Sequence, residues 1–264
     1  MLVSTQLLDA CLDDFIVLDA SKHLPDSGRD ARAEYVAGHI PTALFLDMPS
    51  LHDAQAAVVN TMPTPEQVAS RMATLGVHRD DAIVVYDDSA IRSSARAWFI
   101  LTQHGFANVA ILDGGLAKWR AEGRSLTPGH ADTGERATGS LPAASAVIGK
   151  NALVDAIERG AVQIVDARDA ERFERGHHPG ARHIWFREVF ADDGRYRKPA
   201  ELRSMFEAKG IVYDRPIVTT CNSGMTAAVL LFALRMAGYA DVSLYDGSWQ
   251  EWGCDPSCPV ERRG

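Results

Sequence analysis

The segment PIVTTCNSGMTAAVLLFALRMAG sets a cysteine, Cys221, between a short β-rich apolar run and a long apolar helical stretch. In α/β sheets reactive groups collect at the carboxyl ends of strands, and Cys221 stands at such an end. Gly224, inside the turn Asn222-Ser223-Gly224-Met225, permits the positive φ that folds successive backbone N–H groups inward as an anion nest. A thiol facing those amides and the positive end of the next helix has its pKa lowered from about 8.5 toward roughly 3.5–7.5, which makes it a nucleophile at neutral pH. The alternative for the same residue is a small buried hydrophobe, the common fate of a free cysteine. Other candidates read as structure. His39 and His177 recur in matching Gly-His-x-Pro turns, which favours a structural hydrogen bond over a metal, and His177-His178 lacks the i, i+4 spacing of zinc-protease helices. Cys254 and Cys258 form a CxxxC pair, weak as a zinc signature and open to a disulfide or a sulfur relay as well as to two ordinary thiols. No metal site and no cofactor is called for.

The elements that would hold Cys221 occur twice. An apolar run ends in Asp-Ala at Asp19 and at Asp166, a Gly-His-x-Pro turn follows at Gly38 and Gly176, a short strand ends at Asp87 and Cys221, and an acidic-glycine turn ends at Trp119 and Trp252. The order is the same in both halves, the sign of a duplicated module of about 130 residues. Within each copy β-rich runs (IVLDA, AIVVYD, VAILD; QIVDA, PIVTTC, VSLYD) alternate with amphipathic stretches such as TPEQVASRMATLG. That alternation predicts two α/β domains, each a mainly parallel sheet flanked by helices. Residues 1–127 form the first, the Gly/Thr/Ser/Pro-rich stretch 128–145 a linker, and 146–264 the second. Gly76 and Gly238 are expected as left-handed caps, and Trp119, Trp249 and Trp252 as packing residues.

The repeat also tests the cysteine. Its counterpart in the first half is Asp87, in YDDSAIRSSARAW. A packing cysteine would be matched by another apolar residue, so a thiol against a carboxylate reads as a division of labour between the halves.

The ordered series LDA, GRDARAEYVAGHIPTALFLD, IVVYD, LDGG, then IVDAR, RF, GHHPGA, CNSGMTA and YDGSWQEWG resembles the tandem-domain rhodanese superfamily of sulfurtransferases over nearly the whole chain. The resemblance implies a catalytically silent first domain and a second in which Cys221 takes a sulfane sulfur from a small anionic donor, holds it as a persulfide, and passes it to a thiol (thioredoxin or a low-molecular-weight thiol) or to cyanide. It implies that the loop Cys221, Asn222, Ser223, Gly224, Met225, Thr226 and Ala227 cradles the persulfide charge through its amides. Phosphatases of the same fold need an arginine six residues after the cysteine, and here that position is Ala227.

Family members that prefer thiosulfate tend to place basic residues directly after the cysteine, and those that prefer 3-mercaptopyruvate tend to have Gly-Ser-Gly. Asn222-Ser223-Gly224 is closer to the second, with Ser223 as a hydroxyl that takes part in the transfer. Arg172, in the RF motif, is implied as the cation for the donor's carboxylate, against a bland reading as one exposed arginine in the charged run DARDAERFERG. The chain lacks the insertion between RF and Gly176 that carries a second arginine, leaving Arg175 or Arg182 in its stead. Asn60 stands where the family often has a histidine in the proton relay, with Pro49 in place of its acidic partner. Asp47 and Arg29 are expected at the entrance of the site. Thiosulfate remains the alternative donor, and a non-enzymatic sulfur carrier or redox sensor the alternative of another class.

Composition bounds the setting. The 264 residues are 46% hydrophobic and 23% charged with a formal charge of −8, an ordinary globular profile. Basic residues form no run, which argues against nucleic acid as a partner. Four cysteines are too few for a disulfide scaffold, the N-terminal stretch lacks the pattern of a signal peptide, and no apolar run approaches the roughly 20 residues of a membrane span, so a cytoplasmic protein without a membrane partner is expected. With a net negative field, attraction of an anionic donor must be local: loop amides, a helix N-terminus and an arginine.

Overall fold

The apolar runs of the first half form β1 (Leu2–Val3), β2 (Ile16–Asp19), β3 (Leu44–Phe45), β4 (Ile83–Tyr86) and β5 (Val109–Leu112). They make one sheet of order β1-β5-β4-β2-β3, parallel at every pairing. All four residues of β4 are buried, which is why the run reads as continuous apolar sequence rather than as an alternating pattern. The second half gives β6 (Val147–Ile148), β7 (Gln163–Asp166), β8 (Arg182–His183), β9 (Ile217–Thr220) and β10 (Val242–Tyr245), in the corresponding order β6-β10-β9-β7-β8 and again parallel. This computed structural model describes residues 1–131 and 133–262. Among them no helix is long and apolar enough to cross a membrane.

The chain divides into two compact units. Unit 1 holds Met1–Asp53, Met62–Ala144 and Asp192–Arg195; unit 2 holds Ser145–Ala191, Tyr196 onward and the excursion Ala54–Thr61. Residues 133–144 contain no helix or strand and belong to unit 1, where Thr138 is buried and donates to the carbonyls of Ala69 and Val77. Gly76 and Gly238 take φ of +71° and +95°, the left-handed geometry expected after the helices Pro65–Thr74 and Met225–Met236.

Each core closes on a tryptophan. Trp119 packs with Tyr86 and Leu112, and Trp252 with Phe173 and Tyr245. Their indole N–H groups donate to the carbonyls of Ser125 and Pro259, so burial leaves neither unsatisfied. The paired histidines are structural in geometry: His39 Nδ1 bonds the Tyr35 carbonyl at 2.9 Å and His177 Nδ1 the Phe173 carbonyl at 2.8 Å, each ring stacked on the same aromatic residue.

The next position breaks the symmetry. Unit 1 has Ile40 in its core, whereas unit 2 has His178, fully buried among Tyr245, Trp249 and Trp252 with no hydrogen-bond partner among the described residues for either ring nitrogen. Burial, and then the nearby Arg168 charge, push its pKa down from 6.5 to about 3. The unfolded chain therefore takes up a proton that the folded chain refuses. The stability present above pH 6.5 is lost at up to about 1.4 kcal/mol per pH unit as pH falls toward 3. His178→Ile should raise Tm at pH 5 by roughly 4 °C more than at pH 8. Thermal melts at the two pH values check this, and an equal change at both contradicts it.

Candidate active site

Strands β7 and β9 are neighbours, with Asp166 opposite Thr220, so the loops that leave them emerge side by side at the carboxyl end of the sheet. One loop carries Cys221 to Gly224, and the other runs from Arg168 to the helix Ala170–Arg175. Cys221 follows β9 directly and is 2% exposed. Gly224, at φ +77°, turns the chain into the helix Met225–Met236, where Met225 and Ala227 are buried and Thr226 half-buried. Sequence and structure agree on this strand-loop-helix frame.

What fastens the loop is Ser248, a residue the sequence reading passed over. Its Oγ accepts the N–H of Cys221 at 3.3 Å and of Gly224 at 3.1 Å, and donates its own proton to the Tyr245 carbonyl at 2.9 Å. Ser248 is fully buried and holds φ +50°, a conformation that costs a non-glycine residue about 1 kcal/mol or more and persists only where its surroundings impose it. The backbone continues the clamp: Trp249 N–H donates to the Cys221 carbonyl at 3.0 Å and Gln250 N–H to that of Asn222 at 2.9 Å. A Cβ at Gly247 would displace the Glu251 side chain, whose carboxylate accepts the Tyr245 hydroxyl. Two of the amides expected to face the sulfur are thus spent on Ser248. The motif YDGSWQEW showed the turn but not the direction of the hydroxyl, which depends on the approach of two strand ends.

Ser223 meets an amide from far along the chain: Asn60 Nδ2 donates to Ser223 Oγ at 3.1 Å. Arg172 stands on the helix capped by Asp169, which accepts its backbone N–H at 2.9 Å and lies 3.5 Å from its guanidinium, with the arginine side chain 62% exposed. At the start of the second loop, Arg168 is buried against Asp166, bonds the Gly176 carbonyl, and lies 4.4 Å over the Trp249 ring. Arg175 pairs with Glu171 on the surface, and Arg182 is exposed on β8. Cys254 is an exposed free thiol, while Cys258 joins the Trp252 core, its thiol pKa pushed up by burial and by Asp255. Among the described residues no group of three or more His, Cys, Asp or Glu could hold a metal ion.

Asp47 and Arg29 belong to unit 1. Arg29 binds Glu34 and Asp88, and Asp47 lies 4.0 Å from Arg71. Both line a cleft of about 480 Å³ with Lys22, Arg32 and Phe45.

The equivalent place in unit 1 shows what duplication did. Asp87 follows β4 as Cys221 follows β9, and its carboxylate accepts the N–H and hydroxyl of Ser89 and of Ser94. The loop is filled by its own anion. At the Ser248 position stands Gly115, also left-handed at φ +60°, with Leu116 N–H still donating to the Asp87 carbonyl. At the Arg172 position, counted from the stacked Tyr35 and Phe173, stands Glu34. Thiol, clamp hydroxyl and arginine occur together only in unit 2.

Comparison with known proteins agrees with this organisation. The rhodanese-like domain matches twice, over residues 12–122 and 150–254. The 3-mercaptopyruvate sulfurtransferase of Escherichia coli (strain K12) is 36% identical over 257 residues, covering 93% of this chain and 91% of that protein. Thiosulfate/3-mercaptopyruvate sulfurtransferase 1 of Arabidopsis thaliana mitochondria is 32% identical, covering 94% and 74%. The crystal structure of SseA from Escherichia coli, a 3-mercaptopyruvate enzyme of rhodanese fold, superimposes with a TM-score of 0.85 at 36% identity, over 94% of this chain and 98% of that one. Two parallel sheets of one topology, a cysteine loop on one of them and relatives of this similarity together place the chain in the rhodanese family, as a sulfurtransferase enzyme.

Proposed function

We propose that the enzyme moves a sulfane sulfur from 3-mercaptopyruvate, through a persulfide on Cys221, to a thiol or cyanide acceptor, and that unit 1 carries no chemistry of its own. The observation that carries this reading is the asymmetry of the repeat: unit 2 has Cys221, Ser248 and Arg172 where unit 1 has Asp87, Gly115 and Glu34. The names of the relatives support the donor.

In the first half-reaction the Cys221 thiolate attacks the donor sulfur. The S–S bond forms as the C–S bond breaks, and the electron pair leaves as the enolate of pyruvate, which takes the proton that the donor thiol carried. In the second, an acceptor thiolate or cyanide attacks the outer sulfur, the S–S bond breaks, and the electron pair returns to Cys221. Splitting one transfer into two displacements lowers each barrier. The loop amides that do not donate to Ser248, together with the Ser223 hydroxyl, stabilise the negative outer sulfur. Arg172, exposed and 3.5 Å from Asp169, supplies a cation for the donor's carboxylate.

Thiosulfate is the second reading, favoured by the Arabidopsis relative named for both donors. Steady-state assays with each donor, using cyanide or thioredoxin as acceptor, separate the two. Turnover with 3-mercaptopyruvate is expected, and absence of turnover with both donors contradicts the proposal. Arg172→Ala should raise KM for 3-mercaptopyruvate about tenfold with a smaller change in kcat, and an unchanged KM rejects its carboxylate-binding role.

A further inference from the structure

Three observations converge on Asn60. The segment Ala54–Thr61 belongs to unit 2 although its sequence neighbours on both sides belong to unit 1. Asn60 holds φ +60°, a left-handed conformation that asparagine tolerates better than other non-glycine residues. Its Nδ2 donates to Ser223 Oγ at 3.1 Å, and the Thr61 hydroxyl donates to the Val58 carbonyl at 2.6 Å, closing the turn that presents it.

A hydroxyl has one proton and two lone pairs. With the Asn60 amide on one lone pair, the Ser223 proton turns to another acceptor, and the acceptor that the reaction brings to this loop is the anionic sulfur on Cys221. A carboxamide neither gains nor loses a proton in the range where proteins fold, so this orientation does not change with pH.

We propose that Asn60 is a positioning residue: through the Ser223 hydroxyl it presents a fixed, uncharged hydrogen-bond donor to the sulfur on Cys221, and it takes no part in proton transfer. This rests on Cys221 being the sulfur acceptor. It also narrows the donor class to molecules that bring their own proton or need none. An α-keto thiol satisfies this, since its S–H proton ends on the enolate carbon, and so does thiosulfate, whose sulfite leaves unprotonated.

The test is single-turnover loading of the full chain with 3-mercaptopyruvate, followed by intact mass between pH 4 and pH 8, a range that reaches the ordinary carboxyl pKa of about 4, with Cys221→Ser alongside. Asn60→Gly keeps the left-handed backbone and removes only the amide. It should load about tenfold more slowly, with the wild-type pH profile unchanged in shape. Asn60→Asp should be slow at pH 8 and approach wild type as pH falls, because the introduced carboxyl becomes a neutral donor again once protonated. Asn60→Gly loading at the wild-type rate, or an Asn60→Asp deficit that does not change with pH, overturns the proposal. Wild type that fails to load at Cys221 overturns instead the reading on which it stands.

Discussion

Ser248→Ala is expected to slow sulfur loading about a hundredfold while the protein still folds. The hydroxyl satisfies two buried amides, those of Cys221 and Gly224, and is itself anchored on the Tyr245 carbonyl. Its removal orphans both N–H groups, each at a cost of about 1–3 kcal/mol unless the loop moves to find another partner. Movement is the easier course for a four-residue turn, and a nucleophile displaced by an ångström loses on the order of a hundredfold in rate. Ser248→Gly separates the two contributions. It relieves the backbone at φ +50° but also lacks the hydroxyl, so it should regain stability relative to alanine without regaining rate. Melts and single-turnover loading on the same preparations check both halves, and a Ser248→Ala rate within twofold of wild type removes the clamp from the account.

Much of the frame is legible in the sequence because duplication prints it twice. Strands β4 and β9 are recognisable as apolar runs, and the glycines after the long helices mark where the chain turns back. The cysteine loop is legible for the same reason, since Asp87 stands opposite Cys221 and the contrast draws attention to both. What escaped is side-chain direction. Ser248 lies in a motif that names a turn, but its hydroxyl reaches the Cys221 loop only because β9 and β10 are adjacent and end at the same level. Asn60 is harder still, because its partner is 163 residues away in sequence. His178 shows the opposite case. Against Ile40 in the repeat it is visibly a polar residue in an apolar place, yet only the packing of Tyr245, Trp249 and Trp252 shows that neither nitrogen is satisfied. The stretch after residue 127, read as a linker from its composition, holds Thr138 and Leu141 buried, which two isolated residues in a polar run do not announce.

Cys221→Ser is expected to abolish turnover, a loss of at least about a thousandfold, because a serine hydroxyl ionises far less readily than a thiol and forms no stable bond to the incoming sulfur. Cys254 and Cys258 are not substitutes. Cys258 is buried in a core with its thiol pKa raised, and Cys254 is exposed beyond the last helix rather than at the carboxyl end of a strand. Cys254→Ser and Cys258→Ser should therefore retain sulfur transfer.

The most direct test is the intact mass of the full chain after exposure to 3-mercaptopyruvate with no acceptor present. Wild type should gain the mass of one sulfur atom, lose it again on addition of cyanide, and show no such gain in Cys221→Ser. A gain that persists in Cys221→Ser, or wild type that turns over without ever carrying the sulfur, contradicts the assignment of Cys221 as the residue through which the sulfur passes.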